Sequence, residues 1–134
     1  MFGSLDISAS ALVAQRTRLN TISANLANQN SITNADGEYE PYRRRIPIFA
    51  AGDPASGKPR GVHVREIAFD DAPLQMKYMP DHPFANEEGY VGFPNVNSTV
   101  EKINALEAMR AYEANINAAE ATKTMMSQAL RLMG

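Results

Sequence analysis

The sequence predicts an α+β chain: long N- and C-terminal α-helices forming a coiled-coil-like pair, with a small antiparallel β insert between them. Three observations predict it. Residues 97–133 contain no Gly or Pro and carry an apolar stripe at helical spacing. Leu5, Leu12, Leu19 and Leu26 recur every seven residues, the seam spacing of supercoiled helices. Between these ends lie short alternating segments punctuated by Pro and Gly.

The N-terminal helix is expected to start near Ser4 or Asp6, either of which can cap it, and to fade after Asn28. Residues 28–34 are mostly Asn, Gln, Ser and Thr, which compete with the backbone for hydrogen bonds and end helices. The leucine seam is thin. Ser8, Gln15, Arg16 and Ser23 interrupt it, so this helix is marginal alone.

The insert is expected over residues 35–94. Arg45 to Phe49 reads as a strand with Ile46 and Ile48 on one face, and Pro47 inside it favours an edge. Residues 52–61 read as a flexible loop at a hairpin tip. Val62 and Val64 lie on a second strand, with His63 facing solvent opposite them. Leu74–Tyr78 forms a third strand and Tyr90–Phe93 a short further one. Ser98 and Glu101 fit a capping box at the start of the last helix.

That helix presents Ala105, Met109, Tyr112, Ile116, Ala119, Lys123, Met126, Leu130 and Met133 along one face. Beside them runs a row of small residues: Ala108, Ala111, Ala118 and Ala121. Small side chains admit a second backbone, so the pattern predicts packing on more than one side and hence assembly. A two-helix hairpin resting on a small core is the other reading of the same pattern.

At 134 residues the chain fits one domain-sized core, with 13 basic and 15 acidic residues. This balance supplies no field for nucleic acid or acidic lipid, and Arg43-Arg44-Arg45 is too short a basic run to change that. These arginines are better placed to reach neighbouring carboxylates. Zero cysteines excludes disulfides and thiolate chemistry. His63 and His82 have no second ligand at metal spacing. Asp70-Asp71 and Glu87-Glu88 read as solvated loop charge, and residues 34–38 lack the ligand spacing of a calcium loop. No catalytic, cofactor-binding or metal residue is predicted, no run is long enough to insert in a membrane, and no cleavable signal peptide is expected at the start.

Several segments together resemble one family. Residues 10–15 (Ser-Ala-Leu-Val-Ala-Gln) and 22–28 (Ile-Ser-Ala-Asn-Leu-Ala-Asn) are similar to the N-terminal signature of flagellar rod and hook axial proteins. Pro41-Tyr42-Arg43-Arg44, His82-Pro83-Phe84-Ala85, Gly89-Tyr90-Val91 and Pro94-Asn95-Val96-Asn97 narrow the resemblance to proximal-rod subunits. Residues 110–115 (Arg-Ala-Tyr-Glu-Ala-Asn) complete it. Two positions depart from that pattern: Pro47, and the more polar Glu101-Lys102-Ile103.

The resemblance implies a structural subunit whose helical ends (residues 1–34 and 95–134) pack with other copies and other rod proteins into a tube around an export channel. It implies passage through the flagellar type III export apparatus without cleavage, and a place in the basal-body rod across the periplasm. The assembly contacts are expected at Leu5, Leu12, Leu19, Ile22, Asn25, Leu26 and Asn28, and at Met109, Ala111, Tyr112, Asn115, Ile116, Ala118, Met126 and Leu130. A periplasmic hydrolase or a membrane-surface helix would be the competing classes. The first needs a carboxylate in a formed cleft. The second needs a basic polar face, whereas the last helix balances Lys102, Arg110, Lys123 and Arg131 against Glu101, Glu107, Glu113 and Glu120.

Overall fold

The computed structural model describes residues 2–55 and 57–134. Helix α1 spans Phe2–Ala27, followed by β1 (Arg45–Asp53), β2 (Lys58–Phe69), β3 (Gln75–Tyr78), β4 (Tyr90–Phe93) and helix α2 (Ser98–Met133). Both helices and the antiparallel insert are thus as the sequence predicts. Helix α1 already includes Ser4 and Asp6, so neither caps it.

The insert consists of two separate two-stranded sheets. Strands β1 and β2 form a hairpin, and β3 pairs antiparallel with β4. The hairpin ladder runs further than expected: Asp53 opposes Lys58, so the connection is confined to residues 54–57. The strands thus extend into the 52–61 stretch, but within it only Asp53 and Lys58 pair in register, because an irregularity after Ala51 sets Gly52 and residues 59–61 out of the ladder. His63 is half-buried, and its Nδ1 lies 2.9 Å from the Gly52 carbonyl oxygen across the ladder.

Helix α1 is the centre of the molecule, packed against α2 on one side and against β1 and β2 on another. Its most buried apolar residues, Ala14 and Ile22, lie under these neighbours. The hairpin is fastened to it through Ser10, whose Oγ accepts from the Val62 amide at 3.1 Å and donates to the Ile7 carbonyl at 2.8 Å. Gly61 permits that approach: its φ is +88°, and a Cβ there would stand 2.7 Å from Ser10 Oγ.

Helix α2 runs antiparallel to α1. Asn25 meets Glu101, and seven residues earlier Arg18 meets Glu107 at 3.3 Å. Its inner face is set by small residues, with Ala108 fully buried and Ala105, Ala111, Tyr112, Asn115 and Ala119 partly covered. Within the predicted stripe, Met109, Lys123, Leu130 and Met133 are exposed. The small row that was expected to await a second neighbour supplies Ala108 to the first, because Ala lets α1 approach closely.

Candidate functional site

Two features dominate the molecule: a buried polar joint at one end of the helix pair, and an uncovered length of α2 at the other.

The joint is built from residues far apart in the chain. Asn25, on the last turns of α1, is 1% exposed and has all of its hydrogen-bonding capacity used. Its Nδ2 donates to the Arg45 carbonyl at 2.9 Å and to Glu101 Oε2 at 3.4 Å. Its Oδ1 accepts from the Arg45 amide at 2.9 Å and the Tyr42 hydroxyl at 2.8 Å. Glu101, on the first turn of α2, is 0% exposed. A buried carboxylate needs a cation, and Arg44 supplies it: Nε donates to Glu101 Oε1, while Nη1 donates to Asp70 Oδ2 at 3.2 Å.

Backbone bonds tie the same point to the insert. Asn95 Oδ1 accepts the Arg44 amide at 2.8 Å, and Asn95 Nδ2 donates to the carbonyls of Asp70 and Ala72 at 3.0 and 3.1 Å. Burial opposes the charge on Arg44, but Glu101 and then Asp70 more than offset it and raise its pKa. Burial also raises the Tyr42 phenol, Arg45 draws it back, and Glu101 pushes it further up. Every charge at the joint is occupied in holding strands to helices. No cluster of three potential metal ligands occurs among the described residues.

Glu101 corrects the capping expectation. Asn97 is the N-cap of α2, its Oδ1 accepting from the amides of Thr99 and Val100 at 3.0 and 3.2 Å. Glu101 turns inward instead, because Arg44 offers it a full charge where the capping box offers one amide. The polar departure noted at Glu101 is thereby explained. Arg43 reaches the Ala72 carbonyl at 3.2 Å, and Arg45 lies over the rings of Tyr42 and Phe69 at 5.3 and 6.0 Å from their centroids.

The residues expected to make assembly contacts fall into three groups. Ile22 and Asn25 are buried inside the subunit, so they position its parts. Leu5, Leu12, Leu19, Leu26, Asn28, Ala111, Tyr112, Asn115, Ile116 and Met126 are half-buried. Two of these are also held locally: Asn28 Nδ2 donates to the Ala24 carbonyl and Asn115 Nδ2 to that of Ala111. Met109, Ala118 and Leu130 are exposed.

At the far end, α2 outruns its partner. The pairing of Asn25 with Glu101 and of Arg18 with Glu107 places Phe2 roughly opposite Thr124. Residues 125–133 then project about 13 Å past α1. Leu130, Leu132 and Met133 are 68, 89 and 85% exposed. Sequence reasoning found Leu130 and Met133 but not Leu132, and could not show that α1 stops short of them.

A long helix with one packed neighbour, bare leucines and methionines at its end, and buried charges spent on holding parts together define a structural, contact-making protein. The comparisons agree. Residues 5–36 match the family model of flagella basal body rod proteins, and residues 87–132 match the C-terminal model of flagellar basal body rod FlgEFG proteins. The flagellar basal-body rod protein FlgC of Yersinia enterocolitica is 39% identical over 127 residues, covering 95% of this chain and 93% of that protein. That of Bacillus subtilis is 39% identical over 145 aligned positions, covering 98% and 97%. That of Salmonella typhimurium is 41% identical over 128 residues, covering 95% and 93%. The chain belongs to the FlgC family of flagellar basal-body rod proteins, a structural family and not an enzymatic one.

Proposed function

We propose that this chain is a structural subunit of the flagellar proximal rod. It polymerises through its helical ends into a tube that transmits torque and encloses the export channel. The insert is carried on the outside of that tube. The family relationship supports the rod, and the projecting end of α2 supports the mode of assembly. Leu130, Leu132 and Met133 lie almost bare, and large apolar side chains grouped this way are characteristic of contact surfaces. Other copies of the chain and other rod proteins are the partners. Nucleic acid has no place in this reading, nor does membrane insertion; among the described residues no helix is long and apolar enough to cross a membrane.

The same relationship supports export through the flagellar type III apparatus with no leader removed, and a working position in the periplasmic span of the basal body. The test is a chain ending after Thr124, supplied as the only copy. It keeps the whole α1–α2 contact, so it should fold and be exported. It should not support rod growth or swimming. Normal rods from the shortened chain would refute assembly through this end.

A further inference from the structure

Resting on the rod-subunit reading, we propose that the projecting end of α2 in one copy seats on the exposed β3–β4 face of a second copy, joining them head to tail. The two surfaces lie at opposite ends of the molecule. Strand β4 ends at Phe93 and leads through residues 94–97 directly into the first turn of α2. The projecting end lies at the last turn, about 50 Å away along a helix of 36 residues.

Their chemistry is complementary. Met76 opposes Gly92 and Tyr78 opposes Tyr90, so Met76, Tyr78 and Tyr90 share one face of the small sheet. All three are exposed, and the two tyrosine rings meet edge-on with centroids 5.2 Å apart. Lys77 turns to the other face, its Nζ 4.3 Å from the Phe93 ring centroid. The connection between these strands carries exposed Glu87 and Glu88. On α2, the bare Leu130, Leu132 and Met133 are flanked by exposed Lys123 and Arg131, and residues 121–134 contain no acidic residue. None of these four charges forms an ion pair among the described residues. An apolar end with a basic rim thus faces an apolar sheet with an acidic rim.

Because the surfaces differ and lie at opposite ends, the contact is heterologous and each joined copy presents a fresh end. Three or four side chains on each partner cover well under the ~1,000 Å² of a stable pair. The contact is therefore weak between two copies and needs reinforcement by lateral neighbours in an assembly.

The absence of cysteine from the chain makes a direct test available. A chain carrying Leu132→Cys and Tyr78→Cys should give a ladder of dimers, trimers and longer species on mild oxidation at high concentration. An equimolar mixture of the two single variants should stop at dimers. Lys123→Glu with Arg131→Glu should lower the ladder at least tenfold, and adding Glu87→Lys with Glu88→Lys should restore it. Dimers of Leu132→Cys alone in place of a ladder, a ladder indifferent to the charge reversals, or no ladder would each overturn the contact. The rod reading is read separately, from the presence of the unmodified chain in purified basal bodies.

Discussion

Asn25 and Arg45 are joined twice, side-chain amide to backbone: Nδ2 donates to the Arg45 carbonyl and Oδ1 accepts the Arg45 amide, each at 2.9 Å. The side chain of a helical residue thus occupies the place of a neighbouring strand at the edge of β1. Because Asn25 also touches Glu101, one amide fixes α1, the hairpin and α2 together. The orientation of the insert on the helix pair is set here.

Asn25→Ala should therefore be among the most damaging single substitutions. It leaves the Arg45 amide and carbonyl and the Tyr42 hydroxyl without their partner, and buried groups left unpaired cost about 1–3 kcal/mol each. A loss of at least about 3 kcal/mol in denaturant unfolding is expected. Asn25→Asp should not rescue it, since the Arg45 carbonyl and Glu101 would then face an acceptor.

Removing Glu101 alone should cost about 3 kcal/mol, because it leaves the Arg44 guanidinium partly buried with only Asp70. Replacing Arg44 and Glu101 together by Met and Leu should cost less than the two single changes combined. A double-mutant cycle in urea measures this coupling. Additive losses would show that the pair does not act as a unit.

Tyr42 gives the joint a pH limit. Its phenol is raised, chiefly by burial, so the folded state holds the proton to higher pH than the unfolded chain does. The corresponding stability is full below about pH 10 and is lost as pH rises through the folded value. Alkaline unfolding should steepen above pH 10 in the parent. Tyr42→Phe should flatten that part of the curve while lowering stability at neutral pH.

Helix α2 offers a contrast between two alanines one heptad apart. Ala111 is half-covered and Ala118 exposed. Ala111→Leu should destabilise the isolated chain, since overfilling a close helix contact costs about 1–3 kcal/mol. Ala118→Leu should leave the isolated chain unchanged, Leu being nearly as good a helix former as Ala. If that face packs on a neighbour in the rod, the same change should block rod growth. Calorimetry of the free chain and a swimming assay separate the two effects.

The helices were legible in the sequence because periodicity and the lack of Gly and Pro from Asn97 to Met133 are local signals. The ends of the hairpin were less so, since Gly52, Pro59 and Gly61 suggest a loop while the two strands continue past them, with an irregular register there, to the Asp53–Lys58 pair. Of the joint only one part was legible, the reach of the arginine run to carboxylates, which Arg44 makes to Glu101 and Asp70. Asn25, Arg44, Asp70, Asn95 and Glu101 are brought together only by the fold, and Glu101 already had a sufficient local explanation as a capping residue. The bare end of α2 was likewise hidden, because it depends on where α1 stops against it.

The most direct measurement is the rate of thiol labelling at Leu132→Cys, compared between the free chain and purified basal bodies containing it. Leu132 is 89% exposed in the single chain, so labelling there should be fast. In basal bodies, a neighbour covering the end of α2 should slow it at least tenfold, while a control cysteine at Ala55, on the hairpin turn, should label alike in both. Equal rates at position 132 in the free and assembled states would contradict assembly through the projecting helix.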